Sequence, residues 1–284
     1  MGADGELLLK LETCQPTGAF KVRGALNALS NLPADTPVVT ASAGNAGLGV
    51  AYAAGRLGRT ATIVVPGTAA APKVAALRRL GAELVQVGTS YDEAEARALE
   101  LVDETGAYYL SSYNDPLVIA GQGTIGHELD AQLSGPLTVV CGLGGGGLAS
   151  GLGLWASTRA DVRVVGVEAA ASTAMSATVA AGHDVQVTVG ETLADGLEGN
   201  LERGSVTVGL VAEHVHSMVT VTEEELRSAL RHLATERGVV AEGAAAAPVA
   251  AVLAGKVPGH GTTVAVVSGR NIAMPVYASI LAEG

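Results

Sequence analysis

Short, continuously apolar runs alternate with helix-patterned stretches along most of this chain, and that alternation restricts its fold more than any other feature. Strand candidates lie at residues 7–11, 38–40, 61–65, 83–87, 137–141, 162–167, 218–221 and 263–267. Helix candidates fall between them at 46–57, 72–80, 92–104, 116–133 and 222–236. A strand that is apolar on both faces needs cover on both, so the pattern predicts open, mostly parallel sheets flanked by helices, an α/β fold. Start signals agree with the helices. Asp115 and Pro116 offer an N-cap followed by proline at the first helical position, and Thr222 with Glu225 forms a capping box. The alanines at 244–247 read as a tightly packed helix.

At 284 residues the chain suffices for two modest domains or one large one. With one Phe, one Trp and six Tyr, its core must be built from Ala, Val and Leu. A formal charge of −11 argues against nucleic acid as a partner, because phosphate backbones need a basic face. Cys14 and Cys141 make neither a disulfide framework nor a zinc site and read as small buried residues of a protein in a reducing cytoplasm. The six histidines are scattered, and no metal is expected. The uncharged span 136–158 is long enough for a bilayer, but its seven glycines suit a strand, a loop and a buried helix instead. No basic-then-apolar leader opens the sequence.

Two segments carry chemistry. The first is Gln15-Pro16-Thr17-Gly18-Ala19-Phe20-Lys21-Val22-Arg23-Gly24, where one of only four lysines follows the single phenylalanine. Pro16 and Gly18 set a bend before Lys21, and 24–29 reads as a helix behind it. A lysine amine withdrawn from water can lose its proton near neutral pH and attack a carbonyl. The bland reading is a surface lysine at a helix start. The second segment, Gly144-Gly145-Gly146-Gly147-Leu148, follows an apolar strand and opens a helix. Unobstructed backbone N–H groups at a helix N-terminus form a phosphate cradle. Gly142, Gly144 and Gly147 also satisfy G-x-G-x-x-G, with Glu168 ending the next strand, so a nicotinamide dinucleotide is an alternative occupant. That occupant leaves Lys21 without a role.

The two segments, with Ser42-Ala43-Gly44-Asn45 and Ser268-Gly269-Arg270-Asn271, resemble the fold type II pyridoxal-phosphate enzymes, and most closely their serine/threonine dehydratase (threonine ammonia-lyase) branch. Asn114-Asp115-Pro116, Ala120-Gly121-Gln122-Gly123-Thr124 and Ala194-Asp195-Gly196 extend the likeness over nearly the whole chain. The resemblance implies two α/β domains with the cofactor wedged between them, a small one at 33–115 inserted into a larger one made of 1–32 and 116–284. It implies that Lys21 forms the Schiff base with pyridoxal 5'-phosphate and later shuttles the α-proton. Phe20 and Asn45 would contact the cofactor ring, with Asn114 and Gly196 nearby. Gly144, Gly145, Gly146, Gly147 and Leu148 would bind its phosphate, and Ser268 would face the pyridine nitrogen. Ser42, Ala43, Gly44 and Asn45 would receive the substrate carboxylate. The implied reaction is β-elimination from a small hydroxy amino acid such as L-threonine or L-serine, giving a 2-oxo acid and ammonia, in a cytoplasmic homodimer. A dehydratase for another β-hydroxy amino acid and a cofactor-binding protein without turnover stay open beside it.

Several positions depart from the family pattern. Ala43 stands where racemase members carry a serine, which disfavours two-base racemisation. Ala46 replaces a histidine, and Arg270 replaces a glycine, where Glu242 is a possible partner. Glu168 matches a glutamate of the cation site of some relatives, yet the acidic residue expected six positions later is Ala174, and a hard cation needs several oxygens. The segment before the first strand is short for the family, and no regulatory domain is expected at the carboxyl end.

Overall fold

The computed structural model describes residues 7–283. In chain order its elements begin with β1 (Leu7–Leu11), α1 (Lys21–Asn31), β2 (Val38–Ala41), α2 (Asn45–Arg56), β3 (Ala61–Pro66), α3 (Ala71–Arg79), β4 (Glu83–Val87), α4 (Tyr91–Thr105), β5 (Tyr108–Tyr109) and α5 (Pro116–Gln132). Then follow β6 (Leu137–Gly142), α6 (Gly147–Ala156), β7 (Val162–Ala169), α7 (Ala174–Ala181), α8 (Val206–His214), β8 (Ser217–Val221), α9 (Glu223–Thr235), α10 (Gly243–Leu253), β9 (Thr262–Val267) and α11 (Met274–Ala282). Every strand expected from the sequence is present. The two-residue β5 is too short to leave a pattern. Helices α6 and α10 lack an amphipathic stripe because almost every residue in them is buried, so periodicity has nothing to report.

Contacts divide the chain into two compact units, one of residues 7–14 with 123–283 and one of Gln15–Gln122. The larger holds a five-stranded sheet in the order β1-β9-β6-β7-β8, all parallel. Its central strand β6 is buried at all six residues, with Val140 opposite Ala265 on one side and Val165 on the other. Helix α10 packs against β6, β7 and β9 through small residues. A Cβ added to Gly243 would lie 1.9 Å from the Leu193 carbonyl oxygen, a contact no other residue type permits. The capping box of α9 forms as expected: Thr222 Oγ1 accepts from Glu225 N at 3.3 Å, and Glu225 returns the bond to Thr222 N at 2.8 Å.

The smaller unit holds a parallel sheet in the order β4-β3-β2-β5. The resemblance implies a boundary at 33 and 115, whereas contacts divide the chain at Gln15 and Gln122. The difference lies in α1, which packs tightly on α2 and on the first turns of α5. Its Lys21 carbonyl carbon would be 3.1 Å from a Cβ on Gly49 of α2. A Cβ on Gly121 of α5 would lie 2.6 Å from both the Arg23 oxygen and Gly24 Cα. Glycine at these crossings lets three helices share one narrow space.

Candidate active site

In the smaller unit the chain enters α1 through a bend at Gly18, whose φ of +75° suits glycine and whose N–H donates to the Gln15 carbonyl at 2.8 Å. Lys21 is the first residue of α1, with Phe20 before it. Its Nζ donates to the Ser112 carbonyl oxygen at 2.7 Å and lies 5.3 Å from the Phe20 ring centroid, a cation–π distance. The half-buried lysine lines a small pocket with Ala25, Thr40, Ala46, Val50 and Ser111. Ala46 is the second residue of α2. The turn before it, Ser42 to Asn45, is braced by Gly44 N donating to Ser42 Oγ at 3.1 Å. The first N–H groups of α2 have no acceptor within the helix, and the helix dipole adds positive potential there, so this turn can take a carboxylate. Lys21 and Asn45 thus open two helices that touch at Gly49.

Asn114 sits on the strip after β5 that also carries Ser112. Ser111 Oγ accepts from Asn114 N at 3.0 Å. Asp115 Oδ1 caps α5, accepting from Leu117 N at 2.7 Å and Val118 N at 3.0 Å. Its Oδ2 accepts from Tyr108 Oη at 2.5 Å. Burial, and then the bond to Asp115, push the Tyr108 hydroxyl up to about 12. The Asp115-Pro116 cap was legible in the sequence. The role of the Ser112 carbonyl was not, because a backbone acceptor has no residue-type signature.

In the larger unit Gly144, Gly145 and Gly146 link β6 to α6, which starts at Gly147 and Leu148. Gly146 has φ +88°, in the left-handed region. A Cβ there would lie 2.6 Å from Met175 Cε, and one on Gly144 would lie 2.9 Å from Leu197 Cα, beside Gly196. Both positions therefore demand glycine, and the loop presents bare backbone N–H groups at a helix start. Thr207, fully buried at the start of α8, donates from Oγ1 to the Gly145 carbonyl at 2.7 Å and fixes the loop from behind. Sequence reading missed Thr207, since one threonine on a distant helix carries no local signal. Ser268 is buried just beyond β9, at the same carboxyl edge of the sheet as the glycine loop, because β9 neighbours β6. Arg270 is exposed, and the Glu242 carboxylate accepts from Asn271 N at 2.9 Å.

Glu168 is the penultimate residue of β7 and is buried. Its Oε1 accepts from Met175 N at 3.0 Å and Ser176 N at 3.2 Å, while Oε2 has no hydrogen-bond partner. Burial raises its carboxyl above the ordinary range, against the lowering effect of the bonds at Ser176 and Met175. A carboxylate engaged in this way is not offered to a ribose, which removes the structural support for a dinucleotide. Among the described residues no group of three or more His, Cys, Asp or Glu is arranged to hold a metal. None of their helices is long and apolar enough to cross a membrane. Cys141 is buried, its thiol pushed up to about 12 by burial, but Cys14 is exposed, contrary to the expectation of two buried thiols.

An amine at a helix start, a glycine cradle at another and a buried serine at the sheet edge match the donor set that a phosphorylated aldehyde cofactor requires. Comparison with known proteins agrees. Residues 1–269 match the family described as pyridoxal-phosphate dependent enzyme, and the chain belongs to that family. It is 42% identical over 285 residues to an L-threonine ammonia-lyase of Thermotoga maritima, covering 99% of this chain and 71% of that one. Among solved structures it is similar to the processed form of threonine deaminase isoform 2 from Solanum lycopersicum, with a TM-score of 0.91, 34% identity, and coverage of 98% and 79%. Maize serine racemase is also similar, with a TM-score of 0.90, 29% identity, and coverage of 98% and 87%. The chain is an enzyme of α/β fold type II, and its cofactor is pyridoxal 5'-phosphate, which closes the dinucleotide alternative.

Proposed function

We propose that the chain is an ammonia-lyase that deaminates a small hydroxy amino acid, L-threonine or L-serine, to a 2-oxo acid. The observation that carries this reading is the Lys21 amine, 2.7 Å from the Ser112 carbonyl and lining one pocket with Ala46, next to the turn suited to a carboxylate. Pyridoxal phosphate, when bound, supplies the electron sink for cleavage at the substrate α-carbon. The protein supplies position and proton transfer. Lys21 attaches the cofactor and moves the α-proton. Gly144, Gly145, Gly146, Gly147 and Leu148 hold the phosphate through backbone N–H groups. Phe20, Asn45, Asn114 and Gly196 are the residues that would border the ring. Ser268 would offer the pyridine nitrogen a hydroxyl in place of a carboxylate, which would favour prompt loss of the β-hydroxyl over transamination. Ser42, Ala43, Gly44 and Asn45 orient the substrate carboxylate.

One water leaves at the elimination and one is consumed on hydrolysis, so the net products are the 2-oxo acid and ammonia. Ala43 has no titratable group, so that position provides no second base for the opposite face, and this favours lyase over racemase. We also propose a homodimer working in the cytoplasm, without nucleic acid as a partner; the charge of −11 supports the last of these.

The test is a panel of L-threonine, L-serine and larger or acidic 3-hydroxy amino acids given to the purified holoenzyme, with oxo acid and ammonia measured together. Equal release of both from threonine or serine is expected. Release only from a larger or acidic member reassigns the substrate, and a loaded protein that releases neither product from any of them is a binding protein without turnover.

A further inference from the structure

We propose that the Tyr108–Asp115 pair is a positioning device for Lys21, fixing the Ser112 carbonyl on which the lysine amine rests. The inference rests on the reading of Lys21 as the cofactor lysine.

The strip between β5 and α5 has only six residues, 110 to 115, and is tied at several points. Thr40 Oγ1 donates to the Leu110 carbonyl at 2.8 Å and fixes its beginning. Ser111 Oγ accepts from Tyr113 N at 3.4 Å and Asn114 N at 3.0 Å, which folds the middle into a turn. Asp115 fixes its end. This carboxylate is almost fully buried and accepts three bonds, two from the start of α5 and one from Tyr108 Oη. Ser112 lies inside the turn, so its carbonyl can point at Lys21 only while both ends hold.

The same carboxylate reaches Lys21 by a second route. By capping α5 it sets the first turns of that helix, whose Val118 and Gly121 press on Arg23 and Gly24 of α1. Lys21 begins α1. Asp115 therefore controls both the acceptor that the amine meets and the helix that carries the amine. A closed circuit of this kind fixes a reactive group to within a fraction of an ångström, the tolerance that positioned catalysis requires.

A helix cap alone needs only Asp115 Oδ1. The bond to Tyr108 is additional: it ties the end of the strip to the β5 edge of the sheet. Removing the Tyr108 hydroxyl leaves the cap intact and separates positioning from simple stability.

The experiment compares Tyr108→Phe, Asp115→Ala and Asp115→Asn holoenzymes with wild type. It records kcat and KM for L-threonine, thermal stability, and the circular dichroism of the visible cofactor band, which reports how the ring is held. Tyr108→Phe should load cofactor normally, keep KM within about twofold, lower kcat about threefold to tenfold and alter the visible dichroism. Asp115→Asn, which keeps an acceptor for the helix and a partner for Tyr108, should recover most of what Asp115→Ala loses. If Tyr108→Phe leaves kcat and visible dichroism unchanged, whatever its stability, the pair is only structural and the proposal fails. Borohydride fixation of the cofactor on a residue other than Lys21 would instead sink the functional reading, an outcome separate from this one.

Discussion

The lysine segment of the smaller unit and the glycine loop of the larger one are built by opposite means. Around Lys21 the reactive atom is a side-chain amine, and the strip whose carbonyl it meets is held by side chains: Ser111, Tyr108 and Asp115 each use a polar group to fix it. Around Gly144–Gly146 the working atoms are backbone N–H groups, and what matters is the side chains that are missing. The first arrangement places one reactive atom with directional bonds. The second makes room for a bulky anion and stabilises it with a helix terminus. A chemical change on the lysine side should therefore damage turnover more than binding, and a steric change on the glycine side should damage binding more than turnover.

Lys21→Ala tests this most severely. Turnover should fall by roughly three orders of magnitude or more, as when other covalent catalysts lose the reacting group. The visible band due to the lysine-linked cofactor should vanish, yet the phosphate should still bind the glycine loop, detectably by fluorescence. If Lys21→Ala abolishes cofactor binding altogether, the division of labour is wrong.

Gly146→Ala is the converse and should have the next largest effect. A left-handed φ of +88° costs an alanine about 1–2 kcal/mol, and its Cβ meets Met175 Cε at 2.6 Å. Cofactor affinity should weaken at least about tenfold, with kcat at saturating cofactor within about threefold of wild type. Equilibrium titration of the apoprotein measures the first and steady-state kinetics the second.

The same contrast explains what could be seen in the sequence. The glycine loop was legible because four glycines in a row after an apolar strand state a backbone requirement directly. Lys21 was legible as a residue, and Asp115 as a helix cap. The circuit joining them was not, because it runs through the Ser112 carbonyl and through Tyr108 on a strand of two residues. The sheets were legible in the apolar runs. The buried helices α6 and α10 were less so, because a helix covered on all sides carries no stripe. Cys14 was misjudged for a related reason: burial of a small residue depends on what the rest of the chain places over it.

The smallest expected effect concerns Glu168, a buried carboxyl that caps α7 behind the glycine loop. If that half of the site relies on backbone and shape alone, the charge of Glu168 is a burden and its capping oxygen is the useful part. Burial raises its carboxyl above the ordinary 4.5, so the fold favours the neutral acid. A raised folded value means that this stabilisation is complete below about 4.5 and is lost as pH climbs through the raised value. Glutamine keeps an oxygen for Met175 N and Ser176 N and cannot ionise. Glu168→Gln should therefore match wild type in thermal stability near pH 4.5 and exceed it by a few degrees, about 2–4 °C, at pH 8. Melting curves at the two pH values read the difference directly. A variant less stable than wild type at pH 8 would mean that the ionised carboxylate is bound by something, and that the glycine side also depends on a charged side chain.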